Sequence, residues 1–199
     1  MLALVAASCA SLPRAHSPWG APTNRPLPET ALPPGYQRIV FRWDYRERVF
    51  SARGEGVARI AAPDSMRLDF FLENGSAGGS AVVIGDSVFL PGGEARRYLP
   101  PAAMLWAALG VVSVTAEDTF VYVRGDTLEA ELGRPRLWQL VYGPSGLVAM
   151  RRVVKDRIVE ELQRPDSQRV VYSQRGRILR LEIVRRSRET YFDAAIWRH

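Results

Sequence analysis

With 199 residues, 47% of them hydrophobic and 24% charged, the chain has the balance of one folded domain with its own core. The net charge of +6 rests on arginine, with Lys155 the one lysine, and it is uneven. Residues 1–133 hold 12 arginines against 14 acids; residues 134–199 hold 15 basic residues against 7 acids. A single cysteine, Cys9, excludes an internal disulfide, and no run reaches the roughly 20 apolar residues of a membrane-spanning helix. A basic end of this kind is either a solvated arginine face or a surface for anionic partners such as phospholipid heads.

In chain order, Met1–Ser8 is apolar or small throughout and runs directly into Cys9. Leu4-Val5-Ala6-Ala7-Ser8-Cys9 resembles the end of a bacterial lipoprotein signal peptide, in which the cysteine is lipidated and becomes the mature N-terminus. Eight residues are short for such a leader, so the resemblance implies a start upstream of Met1. Residues 1–9 are assigned to this leader and its lipidation cysteine. Residues 10–34 hold seven of the 14 prolines and show neither helical nor strand period. They read as an extended tether, about 75 Å at roughly 3.1 Å per residue. The folded domain is expected over 35–199.

That domain reads as strands. Ile39–Tyr45 is rich in β-branched and aromatic residues, and Phe50–Ala61 follows with Gly54 and Gly56 at a bend. Pro63-Asp64 breaks the chain before Met66, Leu68, Phe70 and Leu72 alternate with more polar neighbours, as in a half-buried strand. Ala81–Ile84 and Val88–Leu90 flank Gly85-Asp86. Phe120–Arg124, Leu128–Leu132, Leu137–Tyr142, Leu147–Val154, Arg157–Gln163, Arg169–Tyr172, Ile178–Arg186 and Thr190–Trp197 continue at hairpin spacing. We count about eleven strands, an antiparallel meander that curls into a barrel or half-barrel.

One stretch breaks the pattern. Pro100–Gly110 is apolar at every position between a proline start and a glycine stop, so a helix is expected over 101–110. A helix apolar all round is buried. It either plugs the sheet or lids an apolar cavity. Candidate wall residues are Val57, Met66, Leu68, Phe70, Val82, Ile84 and Trp138, with Met104, Leu105, Trp106 and Leu109 from the helix. The alternation does not say which strand face lines the cavity.

Catalytic chemistry is hard to place. His16 and His199 lie in the tether and at the C-terminus, and no phosphate loop, dinucleotide fingerprint, serine elbow or zinc spacing occurs. Glu160 and Glu161 point to opposite strand faces, while Glu129 and Glu131 share one. All four read as solvated strand residues, and Arg151 and Arg152 likewise split between faces. In Ile178–Arg186, Leu179, Leu181 and Ile183 share one face, leaving Arg180 and Arg186 on the other as a weak anionic-membrane face.

The order of elements resembles the LolA/LolB-like superfamily of bacterial lipoprotein carriers and receptors. Gly54–Phe70 carries the likeness, a strand, a proline break and a strand alternating arginine with large apolar residues. Ile84–Pro91 is similar to the hairpin that precedes the helix. The chain differs at three places: Ala62 stands where the carriers have an arginine, Asn74–Gly79 has no large apolar residue, and Pro26–Gly35 cannot start a long helix. The resemblance implies an unclosed, half-open β-barrel covered by a short apolar helix, with a hydrophobic cavity for lipid or lipoprotein acyl chains. It further suggests that a lipidated Cys9 places the protein on the outer membrane, facing the periplasm; from the residues themselves we expect a monomer that is not an enzyme and takes no cofactor, metal or nucleic acid. The alternative is a structural or protein-interaction lipoprotein whose barrel is filled by its own helix.

Overall fold

A computed structural model describes residues 12–91, 98–133 and 137–198. Cys9, the leader around it and His199 lie outside the described residues. The described chain forms one antiparallel sheet of thirteen strands that does not close on itself. The strands are β1 (Ala21–Thr23), β2 (Tyr36–Arg46), β3 (Ser51–Ala61), β4 (Ser65–Leu72), β5 (Ala77–Ile84) and β6 (Ser87–Phe89), then, after helix α1 (Ala102–Ala108), β7 (Thr119–Arg124), β8 (Thr127–Leu132), β9 (Trp138–Gly143), β10 (Gly146–Val154), β11 (Arg157–Gln163), β12 (Arg169–Gln174) and β13 (Arg177–Glu189). Their order is β1-β7-β8-β9-β10-β11-β12-β13-β2-β3-β4-β5-β6. Two meanders are thus stitched together by β2 against β13, paired from Tyr36↔Glu189 to Arg46↔Ile178.

Tight turns make this meander possible. Lys155-Asp156 and Arg175-Gly176 each place two successive residues at positive φ, the backbone of a two-residue hairpin turn matched to strand twist. Alternation then sends one residue in two to the concave side. Ile39, Phe41, Trp43 and Tyr45 of β2 meet Met66, Leu68, Leu140, Met150, Leu162 and Tyr172 in a single buried cluster with α1.

Helix α1 spans the connection between β6 and β7 and packs on β10 and β11. Its first turn begins after Pro101, whose carbonyl accepts from Met104 N at 2.9 Å and Leu105 N at 3.1 Å. Gly110 ends it at φ +89: its N–H donates to the Ala107 carbonyl, and Val111 N donates to the Trp106 carbonyl. That paired closure is the left-handed glycine cap that terminates many helices. No charged residue stands in the first or last turn, and six of its seven residues are buried.

Two expectations change. Of residues 10–34, expected as an extended tether, the described part, 12–34, lies along the sheet. Pro22, in β1, pairs at the sheet edge with Tyr122 of β7, where a missing N–H is harmless. Gln139 Nε2 donates to the His16 carbonyl, Arg157 donates to the Leu12 carbonyl, and Thr30 Oγ1 accepts from Val112 N. Low apolarity correctly denied this segment a core of its own, but its backbone groups satisfy an edge and outer face that already exist. Second, Thr190–Trp197 is not a strand. β13 runs through to Glu189, and Asp193 accepts from Ala195 N to cap a 3-10 turn at Ala194–Trp197.

Candidate functional site

The concave side of the sheet under α1 is the interior of the half-barrel. Directly beneath the helix lies a small apolar cavity of about 50 Å³. Met66, Leu68, Phe70, Met104, Leu105 and Leu109 are all on its wall. At about 30 Å³ per water-sized group, it holds one or two methylenes. Beside it opens a cleft of about 270 Å³ between Trp43, Tyr45, Phe50, Phe70, Gly79 and Tyr98. Phe70, Leu99 and Leu179 line both spaces, so the two are contiguous. The cleft is aromatic by construction: Phe70 sits edge-to-face against Phe41 and Trp43 with centroids 5.6 and 5.8 Å away, and Tyr45 against Tyr98 at 5.5 Å. Gly56 makes room, since a Cβ there would stand 2.3 Å from the Phe41 ring.

Of the remaining candidate wall residues, Trp106 is buried but faces sideways, donating through Nε1 to the Gly85 carbonyl at 2.6 Å and fixing α1 to the β5–β6 turn. Trp138 faces a different, polar space described below. Val57, Val82 and Ile84 point to the convex face. Their strand neighbours Ala58, Ile60, Ala81 and Val83 take the inward positions. In β5 the reason is plain: an unbroken apolar run, Ala81-Val82-Val83-Ile84, carries no alternation from which a face can be read. Register decides it, with Met66 opposite Val83 and Leu68 opposite Ala81.

Arg180 and Arg186 do not form one face. Arg180 points outward beside Asp44 at 3.8 Å. A register shift between Ile183 and Arg185 inserts a residue, so Arg186 stands opposite inward-facing Ile39. There Arg186 Nη2 donates to the Ser167 carbonyl, and burial holds its pKa below the usual value. Arg164 is held down for the same reason, with Arg186 adding repulsion.

Sequence reasoning missed an internal polar cluster. Glu160, read as solvated, is 3% exposed. It accepts from Arg152 Nε at 2.6 Å, Gln174 Nε2 at 2.7 Å and Tyr172 Oη at 3.3 Å. Burial, then the carboxylate, push the Tyr172 hydroxyl well above its ordinary pKa. Adjacent Glu161 pairs on the outer side with Arg151, so the expected split of both Arg151/Arg152 and Glu160/Glu161 between faces is what the sheet shows. The missing signal was the cross-strand register Arg152↔Glu160, which no single strand reveals. The cluster borders a half-open space of about 1000 Å³, walled also by Trp138, Arg177, Asp86 and the start of α1. Among the described residues, no group of three His, Cys, Asp or Glu side chains is placed to hold a metal.

Sequence comparison leaves the chain unplaced: no protein-family description matches it, and neither does any curated protein. Solved structures do match. A LolA-superfamily protein from Nitrosomonas europaea superposes with a TM-score of 0.51 at 8% identity, covering 85% of this chain and 93% of that one. A DUF1329-family protein from Desulfovibrio piger superposes at 0.50 and 8% identity, covering 83% and 90%. A domain described as an outer membrane lipoprotein-sorting protein, from Vibrio parahaemolyticus, gives 0.48 at 7% identity, covering 82% and 89%. At such identities the likeness concerns the fold.

Proposed function

From a half-open barrel with the LolA-like fold, we propose a non-enzymatic carrier or receptor that binds the acyl chains of a lipid or lipoprotein between α1 and the concave sheet. The observation that carries this reading is the helix itself. α1 has no charged residue in its end turns and sits over an apolar cavity that continues into an aromatic cleft. The cleft alone takes roughly nine water-sized groups, and the space under α1 one or two more. Burying ten methylenes is worth about 8 kcal/mol gross, before ordering costs. In this reading Cys9 carries the lipid anchor, and the protein faces the periplasm from the outer membrane as a monomer. Detergent-free native mass spectrometry of the purified protein tests the binding. Co-purified lipid supports it; a clean apo mass that also fails to take up a fluorescent fatty acid sinks it. The anchor has its own test in cells making the chain behind a complete leader. Cys9→Ser should leave the membrane fraction and the wild type should take up labelled palmitate.

The small volume under α1 favours a second reading, a barrel permanently plugged by its helix and used as a protein-interaction lipoprotein. The clean apo mass is its predicted result.

A further inference from the structure

We propose that the polar space at the start of α1 is a seat for the anionic head of a single-chain amphiphile, with Arg152 as the residue that reads the charge. The proposal rests on the acyl-chain reading above and adds the head-group chemistry to it.

A charged cluster inside an apolar half-barrel is costly unless every member is held. Glu160 is held on both oxygens: Oε2 by Arg152 Nε, Oε1 by Gln174 and Tyr172. Arg152 is not used up. Its Nε faces Glu160, and its side chain is 40% exposed toward the 1000 Å³ space. Among the described residues its two terminal nitrogens carry no further hydrogen bond. Glu160 therefore fixes the plane of the guanidinium and leaves its outer edge turned to the cavity. Such an edge matches two oxygens of a carboxylate or phosphate. Arg177 is a second cation on the same wall, 3.3 Å from Glu47. Asp86 is the wall's other carboxylate and accepts from the Ser87 hydroxyl in the β5–β6 turn.

The tail has a path. Leu99 and Pro100 line both the polar space and the apolar cavity under α1. A head at Arg152 thus places the first methylenes against Leu99 and Pro100, and the rest beneath the helix or in the aromatic cleft. The shared chemistry is an anionic head on one chain, from a fatty acid carboxylate or the phosphate of a single-chain lysophospholipid.

The test is equilibrium binding of dodecanoate, dodecyl phosphate, dodecanol and dodecylammonium to the full chain. Wild type should prefer the two anions over dodecanol by roughly 10- to 100-fold, the range of a hydrogen bond to a charged group. Arg152→Met/Glu160→Gln, which leaves no orphaned charge, should bind all three near the dodecanol level. The ratio of dodecanoate to dodecyl phosphate then separates the two sources. Equal binding of anions and dodecanol by wild type, a preference for dodecylammonium, or an anion preference that survives in the double variant overturns the head-group seat and leaves the acyl-chain reading standing. No binding of any chain overturns both.

Discussion

The two walls of the half-barrel are made differently. On the β8–β12 side the interior is filled: Leu140, Met150 and Leu162 are at most 1% exposed, Tyr142 and Tyr172 are buried beside them, and α1 lies directly on β10 and β11. On the β2–β5 side the interior is aromatic and punctuated by glycine, and the helix leaves an open cleft between Trp43, Tyr45, Phe50 and Phe70. The first wall is packed to hold α1. The second is packed against itself, ring on ring, and leaves space. The helix packs on the filled wall and is tied to the other through Trp106 at the β5–β6 turn, so the open space lies among the rings of the second wall.

This contrast is sharpest in stability. Leu140→Ala and Met104→Ala, both at fully buried positions, should each cost about 2–5 kcal/mol by denaturant unfolding. Phe50→Ala, at a residue 46% exposed, should cost less than about 1 kcal/mol. Equal losses on both walls would mean that the cleft is part of the core.

A smaller effect is expected at the glycine that admits the Phe41 ring. Gly56→Ala should cost about 1–3 kcal/mol, because the ring must shift from its edge-to-face place on Phe70. Fatty acid binding should fall with it. A stability loss without any change in binding would separate the ring stack from the cleft's work.

The pH dependence distinguishes the walls most finely. Burial alone raises Tyr142, on the filled wall, to about 12; Tyr45, beside the cleft, is also raised to about 12 by burial and by its hydrogen bond to Glu47. The unfolded chain releases either proton near pH 10, the folded one later. Stability is therefore full below pH 10 and falls as the pH rises from 10 through 12. Tyr142→Phe should flatten that fall. Glu47→Gln should lower the Tyr45 transition in an ultraviolet tyrosinate titration and leave Tyr142 in place.

The fold was largely legible from local signals. Alternation in Met66–Leu72, turn pairs such as Gly125-Asp126, and the uncharged run from Pro100 to Gly110 name the strands and the helix directly. The site was legible only where alternation was clean. Met66, Leu68 and Phe70 alternate with Arg67, Asp69 and Phe71 and line the space under α1, whereas Val82 and Ile84 sit in a run with no polar beat. Arg186 was turned inward by a bulge that leaves no mark in composition. The Arg152–Glu160 pair depends on two strands meeting in register, and the docking of residues 12–34 depends on a sheet edge that the segment does not itself contain.

Photolabelling tests the central claim most directly. A fatty acid carrying a diazirine on its chain, irradiated with the full-length protein and mapped by peptide mass spectrometry, should mark the inward residues Met66, Phe70, Met104 and Leu109. It should spare the convex-face residues Val57 and Val82. Labelling confined to the convex face, or none at saturating fatty acid, would contradict a chain held between α1 and the concave sheet.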